Sequence, residues 1–212
     1  PHLGEFAEFI CYSFQAVKNL GIADSGMICF QNNNYIEQVS KYRWLGINKT
    51  TFQRTKENLK NSYKWEYDID RLGYKYNGNA LIASCCLSIL PSLDKTNLYR
   101  RKLRQNYLKS LEEIKGVTSI NHENEKYTSG HLFQILLEKG INSEIRNQLI
   151  SKLHKYNIFP GVHYKAISTF TFYKRFSRNL KKSKSISNRI ISLPCHLDIN
   201  SNDIEFIVGK IN

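Results

Sequence analysis

Lys18 is the residue of this sequence whose type and surroundings best suit covalent chemistry. Four apolar residues lie close to it along the chain, namely Phe14, Val17, Leu20 and Ile22. A lysine held among apolar side chains loses solvation, which disfavours its charged form, and a neutral amine is a nucleophile that forms Schiff bases with carbonyl compounds. A solvated loop lysine is the alternative interpretation, because most lysines are exposed.

Two predicted strands flank Lys18. Residues 7–14 and 26–30 are rich in aromatic and β-branched side chains, which is typical of strands. Residues 15–25 contain Gly21 and Asp24 and are predicted to form the loop between them. The sequence therefore predicts that two strands present Lys18 on a loop.

The rest of the chain is predicted as a mixture of helices and strands, which is typical of an α+β unit. The apolar spacing also predicts a helix from Asn79 to about Tyr107, kinked at Pro91 because proline lacks an amide hydrogen. Residues 46–72 show no clear period, and we expect a long functional loop there. The residues from Tyr35 to Arg43 mark another helix, with Asn33 or Asn34 as its N-cap and Gly46 as the residue that ends it. The other predicted elements are strands 117–120, 130–137 and 158–163, and helices 143–156, 184–191 and 201–210.

Composition limits the class of protein. The chain has 212 residues, enough for one sizeable domain or one and a half, and none of its stretches approaches the roughly 20 apolar residues of a membrane helix. We recognise no signal peptide at its start. The cysteine count of five is odd and includes no Cys-x-x-Cys pair, so we expect neither a metal site nor a disulfide framework and favour a cytoplasmic protein.

A formal net charge of +13 is the most unusual feature of the composition. Such a charge is compatible with a nucleic-acid partner or an anionic membrane surface. The basic residues are scattered, however, and no recognition motif accompanies them. The two densest groups are Arg100, Arg101, Lys102 and Arg104, and Lys181, Lys182 and Lys184.

Several short motifs occur in an order that identifies a family. Residues 12–20, Tyr-Ser-Phe-Gln-Ala-Val-Lys-Asn-Leu, and residues 23–28, Ala-Asp-Ser-Gly-Met-Ile, resemble the cofactor-lysine segment of the DegT/DnrJ/StrS-type sugar aminotransferases. Further matches follow at Leu72 to Asn77, His131 to Ile135, Pro160 to Tyr164, and Ser192 to Leu197 with Asp203-Ile204. The resemblance covers nearly the whole chain.

The resemblance implies an α/β plus α+β architecture of fold type I. Residues 1–92 would be the last part of the large cofactor-binding domain with the start of the connecting helix, and residues 93–212 the small domain. The family's large domain contains a parallel sheet, which is normally covered on both faces, and we expect the strands that flank that sheet to be missing here. The family implies pyridoxal phosphate as cofactor, a homodimer, a nucleotide-linked keto-sugar as substrate, and an amino-acid donor such as glutamate. We expect neither a nucleic-acid nor a membrane partner.

The resemblance also assigns roles to single residues. Lys18 would bind the cofactor covalently and move a proton between cofactor and substrate. Ser13 would hydrogen-bond the cofactor phosphate, and Asn77, with Lys75 as its rival, would reach the phosphate bound by the partner subunit. His163 and Tyr164 would line the sugar site. For each of these residues a purely structural role is the alternative.

One departure from the family concerns what precedes Lys18. In the family, an aspartate that pairs with the cofactor's ring nitrogen, and a helix N-terminus that holds its phosphate, lie upstream of the lysine. We find no counterpart ahead of Phe6. We therefore expect the chain to act as a fragment that lacks the N-terminal half of the enzyme and is inactive alone.

Three functions remain open from the sequence. The first is an aminotransferase of amino-sugar biosynthesis, and the second is an inactive truncated copy of one. A basic nucleic-acid-binding module is the third, and it would need clustered Lys and Arg with exposed aromatic rings on one surface. The match around Lys18 favours the first.

Overall fold

The computed structural model of the protein describes residues 3–56, 65–120, 127–176, 178 and 180–212. The chain divides into two compact units, Pro1–Pro91 and Ser92–Asn212. Helices and strands occur in both units, as the sequence predicts. Within the described parts of the chain, no helix combines the length and the apolar character that crossing a bilayer requires.

The first unit contains a β-hairpin made of β1, Phe9–Ser13, and β2, Gly26–Phe30. The strands pair in antiparallel fashion, with Phe9 opposite Phe30 and Ser13 opposite Gly26. Parallel neighbours need a long crossover, usually a helix, whereas the loop after Ser13 returns the chain directly.

Helices complete the first unit. They are a 3₁₀ turn at Leu3–Phe6, α1 at Tyr35–Arg43, α2 at Thr51–Lys56 and α3 at Ala80–Ile89. Helix α1 begins after Asn34 as predicted, although the Asn34 side chain makes no capping hydrogen bond. Helix α2 lies within the predicted long loop 46–72, of which residues 57–64 fall outside the described residues.

The predicted helix over 79–107 is two helices. Asn79 caps α3 by accepting a hydrogen bond from the amide of Ile82 at 2.9 Å. A 3₁₀ turn, Leu90–Ser92, then contains Pro91 and separates α3 from α4, which runs over Leu93–Leu111. Proline therefore interrupts the helix where the sequence predicts a kink.

A three-stranded antiparallel sheet in the order β3-β4-β5 organises the second unit. The strands are β3 at Val117–Ser119, β4 at Phe133–Leu137 and β5 at Ile190–Leu193. The helices after α4 are α5 at Ser143–His154, α6 at Lys181–Arg189 and α7 at Ser201–Ile211, with 3₁₀ turns at Ile167–Thr169 and Lys174–Phe176.

Two of the predicted elements in this unit are wrong. The predicted strand 158–163 is reduced to one bridge between Gly161 and Ser192, since Pro160 has no amide hydrogen for a ladder. The predicted helix 184–191 begins earlier and ends at Arg189. Residues 190–193 are instead a fully buried strand paired with β4, and a short apolar run does not by itself distinguish a buried strand from a helix.

The apolar core of the second unit forms where α4 and α7 pack together and α4 meets the sheet. Tyr107 stacks on Phe133 with ring centroids 4.5 Å apart. Its hydroxyl donates a hydrogen bond to the carbonyl of Pro194 at 2.8 Å. The other buried members are Leu103, Leu111, Ile135, Leu137, Leu153, Ile158, Ile191, Leu193, Cys195, Ile204, Ile207, Val208 and Ile211.

Three arginines of α4 donate hydrogen bonds to backbone carbonyls of their own unit. The guanidinium of Arg104, 1% exposed, donates to the carbonyl of Leu132 at 2.7 Å. Arg100 donates to the carbonyl of Cys195 at 2.6 Å, and Arg101 donates to that of Thr128 at 3.1 Å. The basic cluster on α4 therefore satisfies backbone carbonyls between the elements of the unit.

Candidate active site

Lys18 lies in the loop that joins β1 to β2, where its side chain is half-buried. The loop is shaped by Gln15, whose carbonyl accepts from the amide of Lys18 at 2.8 Å and whose side-chain Oε1 accepts from the amide of Val17 at 3.1 Å. The amide of Ile22 then donates back to Phe14 at 3.1 Å. These bonds fix the backbone that carries the Lys18 amine.

Gly21 allows this loop to close. A Cβ at that position would lie 2.4 Å from the carbonyl oxygen of Gln15, 2.7 Å from that of Ala16 and 2.8 Å from that of Lys18. Any side chain would therefore collide with backbone. The structure therefore requires glycine for this close approach.

Ser13 and Lys18 belong to the same end of the hairpin. Ser13 is the last residue of β1 and is exposed, and its Oγ accepts a long hydrogen bond of 3.4 Å from the amide of Gln15. An accepting hydroxyl keeps its own proton for another acceptor, such as a phosphate oxygen. Among the described residues, the Lys18 amine has no hydrogen-bond or ion-pair partner. An amine and a hydroxyl are the groups that react with an aldehyde and donate to a phosphate, respectively.

Asn77 lies on a separate groove of the first unit. The groove has a volume of about 700 Å³ and is lined mainly by residues of α1 and of the chain that follows it, including Ile36, Lys41 and Trp44. Its described lining includes neither Lys18 nor Ser13. Near Asn77, the ammonium of Lys75 lies over the Trp44 ring, 3.4 Å from its centroid. The aromatic ring thus holds the Lys75 amine, whereas Asn77 is one of the residues that line the groove.

His163 and Tyr164 belong to the second unit. The Nδ1 atom of His163 lies 2.8 Å from the buried Ser192 hydroxyl, and its carbonyl accepts from the Gln134 side chain at 2.6 Å. The Tyr164 ring meets the His163 ring edge-on at 4.8 Å and is 67% exposed. His163 is therefore anchored to β4 and β5, whereas Tyr164 is presented to solvent.

The sequence reasoning did not assign roles to Gln15 and Lys41. Gln15 shapes the Lys18 loop, and Lys41 is a nearly buried ammonium on α1 beside the groove. Glu37 precedes Lys41 by one helical turn, and this i,i+4 spacing of opposite charges was the signal that could have drawn attention to Lys41. No comparable signal in the sequence identifies Gln15.

Comparison with known proteins relates this geometry to a family. The sequence profile described as the DegT/DnrJ/EryC1/StrS aminotransferase family matches residues 1–212. The UDP-4-amino-4-deoxy-L-arabinose--oxoglutarate aminotransferase of Shewanella sediminis is 25% identical over 95% of this chain and 53% of its own length. The UDP-4-amino-4,6-dideoxy-N-acetyl-beta-L-altrosamine transaminase of Campylobacter jejuni serotype O:2 is 27% identical over 97% of this chain and 52% of its own.

Solved structures show the same relationship. The PLP form of Spr1654 from Streptococcus pneumoniae superposes with a TM-score of 0.81 at 26% identity, over 99% of this chain and 52% of that one. Helicobacter pylori PseC, an aminotransferase involved in pseudoaminic acid biosynthesis, gives a TM-score of 0.82 at 22% identity, over 97% and 53%. The chain spans about half the length of the curated relatives it matches.

The expected family, fold and cofactor are confirmed at this level. The chain has the architecture of the matched halves of the sugar aminotransferases, and pyridoxal phosphate is the cofactor of their family. The residue assignments, including Lys18 and Ser13, are not tested by these comparisons. The chain belongs to the DegT/DnrJ/EryC1/StrS aminotransferase family.

Proposed function

We propose that this chain carries the cofactor lysine of a pyridoxal-phosphate-dependent aminotransferase that aminates a nucleotide-linked keto-sugar. Glutamate is the proposed amino donor, and amino-sugar or surface-polysaccharide biosynthesis in the cytoplasm is the proposed setting. The observation that carries the proposal is the Lys18 loop, because at one end of the hairpin it presents the Ser13 hydroxyl and an amine that has no partner among the described residues. The names of the relatives support the substrate class.

Each residue then has a defined task. Lys18 would bind the cofactor and afterwards hold and release a proton at its Nζ atom. Ser13 would donate a hydrogen bond to the phosphate. The bound cofactor would supply the electron sink that the protein's own side chains lack. Tyr164 would offer its exposed hydroxyl to the sugar, with His163 fixing the position of Tyr164 through its contacts with Ser192 and Gln134.

The proposal extends to the assembly. We infer that residues 1–92 are part of the large cofactor domain, that residues 93–212 are the small domain, and that the whole enzyme is a homodimer. Asn77 or Lys75 would contact the phosphate bound by the partner subunit. Asn77 is the better candidate, since the Lys75 ammonium already rests on Trp44.

The first experiment tests Lys18 itself. The protein that carries this chain is purified whole, incubated with pyridoxal phosphate and reduced with borohydride, and the pyridoxylated lysine is located by peptide mass spectrometry. We expect the label on Lys18 and its loss in Lys18→Ala, with no loss in the control Lys155→Ala, which removes an exposed lysine of the second unit. Equal labelling in Lys18→Ala would refute the assignment.

A second experiment tests the shared site. Subunits with Lys18→Ala and subunits with Asn77→Ala are each expected to be inactive or strongly impaired. A mixed dimer would contain one site with neither defect, so mixing should restore up to about half of the wild-type activity per mixed dimer. Mixing Lys18→Ala with Lys18→Ala, Asn77→Ala double-variant subunits is the control and should restore nothing. The absence of any recovery in the first mixture would contradict a site shared in this way.

The same activity measurements decide the competing interpretations. An inactive copy would show neither trapping on Lys18 nor amination of a keto-sugar when purified whole. A basic nucleic-acid module is disfavoured because Arg100, Arg101 and Arg104 donate to backbone carbonyls of their own unit.

A further inference from the structure

A charged cluster lies at the end of α1, on the side of the groove that Asn77 also lines. The Lys41 ammonium is nearly buried, with the residue 8% exposed, and donates to Oδ2 of Asp70 at 2.6 Å. It also pairs with Oε1 of Glu37 at 2.8 Å. The 78% exposed Glu37 side chain lies on the same helix, whereas Asp70 comes from a distant part of the chain. Lys41 therefore links α1 to the segment that contains Asp70.

The neighbouring charges support this link. Asp70 also pairs with the guanidinium of Arg71 at 3.0 Å, and Arg71 lies over the ring of Tyr42, 5.7 Å from its centroid. The hydrogen bonds from Lys41 and Arg71 lower the pKa of Asp70. The hydrogen bonds to Asp70 and Glu37 raise the pKa of Lys41. Both partners therefore stay charged around neutral pH.

The backbone beyond Asp70 is bonded to the end of α1. The amide of Tyr74 donates to Tyr42 at 2.7 Å, and the amide of Leu45 donates to Tyr74 at 3.1 Å. The amide of Tyr76 then donates to Arg43 at 2.9 Å. Tyr74 and Tyr76 also stack on each other at 5.2 Å.

Two glycines permit the close approach of the two chain segments. A Cβ on Gly46 would lie 1.9 Å from the carbonyl oxygen of Arg71, and a Cβ on Gly73 would lie 2.0 Å from the amide nitrogen of Gly46. Gly46 also has a φ of +77°, which L side chains rarely adopt. Residues 68–76 therefore follow one defined path along the end of α1.

We propose that Lys41 is the positioning residue for Asn77, acting through its ion pair with Asp70. The ion pair holds the first part of segment 68–76 against α1, and the backbone bonds carry that placement to Tyr76, which directly precedes Asn77. Lys41 and Asn77 accordingly line the same groove. The inference rests on the proposed function, in which Asn77 contacts the partner's cofactor phosphate.

Lys41 acts through Asp70 and not on the ligand. Its ammonium already has two carboxylate partners at hydrogen-bond distance, so little donor capacity remains for a third anion. Ion pairs withdrawn from solvent contribute little net stability but favour one geometry over others. A geometric role predicts that cofactor affinity changes more than turnover once the cofactor is saturating.

The first measurement tests whether Lys41 holds the segment. Lys41→Met keeps the length of the side chain and removes its charge, Asp70→Asn removes the partner charge without altering α1, and Lys41→Arg keeps the charge. Hydrogen exchange of the 68–76 amides should rise about fivefold in the first two variants, because the ion pair no longer holds the segment against α1, and should return toward wild type in Lys41→Arg. Exchange in the second unit is the internal control. Unchanged exchange in both Lys41→Met and Asp70→Asn would overturn the inference.

The second measurement tests the consequence for the cofactor. In the whole protein, Lys41→Met should weaken the apparent affinity for pyridoxal phosphate about fivefold, leave kcat at saturating cofactor close to wild type, and be rescued by Lys41→Arg. A segment that exchanges faster without any loss of cofactor affinity would also overturn the inference. Borohydride trapping in the same preparations separates the failure of the proposed function from the failure of this inference. Persistent trapping in Lys18→Ala would contradict the role of Lys18, whereas the hydrogen-exchange result alone tests whether Lys41 holds segment 68–76.

Discussion

The two units of this chain are stabilised in different ways. Every buried apolar residue among the described residues lies in Ser92–Asn212. In Pro1–Pro91 the described buried residues are two glycines and Lys41. Helix α3 illustrates the contrast, because it is strongly apolar and yet has no buried residue, with Leu81 80% and Leu87 67% exposed. The second unit thus has a core, and the first is held by backbone hydrogen bonds, a hairpin and ion pairs.

This difference matters because the proposed cofactor residues all lie in the first unit, whose described residues form no buried apolar core. Ser13 ends strand β1, and Lys18 follows it in a loop whose shape depends on polar contacts and on Gly21. An exposed apolar surface such as that of α3 is typical of surfaces that contact another molecule. We therefore expect the site geometry to depend on what covers the first unit, whereas the second unit should be insensitive to it.

Thiol labelling should show the contrast most strongly. Cys11 and Cys85 of the first unit are exposed, whereas Cys195 is buried in the core of the second. Burial also raises the pKa of the Cys195 thiol, and the thiolate is the reactive form. We expect an alkylating reagent to modify Cys195 at least about 10³-fold more slowly than Cys11, because reaction requires the core to open.

Mass spectrometry of the labelled peptides measures this ratio. Labelling in concentrated urea is the control, since unfolding should make the rates of all five cysteines similar. Rapid modification of Cys195 under native conditions would mean that the second unit lacks the closed core described above.

A core substitution should have the next largest effect. Phe133 is fully buried against Tyr107, so Phe133→Ala should lower the free energy of unfolding of the second unit by about 3–5 kcal/mol. The control Phe172→Ala removes a ring that is 63% exposed and should change it by less than about 0.5 kcal/mol.

The units can be followed separately because both tryptophans, Trp44 and Trp65, lie in the first. Urea unfolding of the second unit is followed by amide hydrogen exchange, and that of the first by tryptophan fluorescence. If Phe133→Ala shifted both transitions equally, the units would unfold as one, and the contrast between them would not hold thermodynamically.

The same contrast explains which elements were predictable from the sequence. Helix α7 begins with a capping box formed by the Asn200 and Asp203 side chains, and buried residues alternate along β4. Both signals are local in the sequence, so both elements could be predicted from it. The predicted helix 184–191 includes the first two residues of strand β5, because the pairing of β5 with β4 is a tertiary contact that local rules do not detect. The direction of pairing between β1 and β2 likewise depends on geometry that the family resemblance did not specify for these strands.

At the candidate site, the sequence indicated residue types and not the contacts that hold them. Lys18 and Ser13 could be identified from the motif at residues 12–20, and the loop that carries Lys18 could be predicted from the two strands that flank it. The role of Gly21 could not, because it depends on three carbonyls that converge only in the folded loop. Asp70 was equally hidden, since nothing in the sequence links it to Lys41.

Gly21→Ala should disturb the site without disturbing the second unit. The new Cβ would lie 2.4 Å from the carbonyl oxygen of Gln15, so the loop must shift, at a cost of about 1–3 kcal/mol. We expect slower and weaker trapping of pyridoxal phosphate on Lys18 by borohydride. Gly78→Ala is the matched control from the same unit, because a Cβ there meets nothing within 4 Å. Equal trapping in both variants would show that the loop tolerates the shift.

The smallest expected effect is the pH dependence of the Lys41–Asp70 pair. Lys41, followed by Arg71, lowers the pKa of Asp70 through hydrogen bonds, so the carboxylate stabilises the fold above its ordinary pKa of about 3.9 and ceases to do so as the pH falls through its lowered value. The pKa of Lys41 is raised by Asp70 and Glu37, so the stability that the Lys41 ammonium contributes is complete below about pH 10.4 and is lost at higher pH.

The difference in urea midpoint between wild type and Lys41→Met, read from tryptophan fluorescence, should therefore be constant from about pH 5 to 9 and shrink below about pH 4. Glu37→Gln is the control, and its midpoint should move less because the Glu37 side chain is 78% exposed. A difference that instead disappeared near neutral pH would assign the effect to a group other than Asp70.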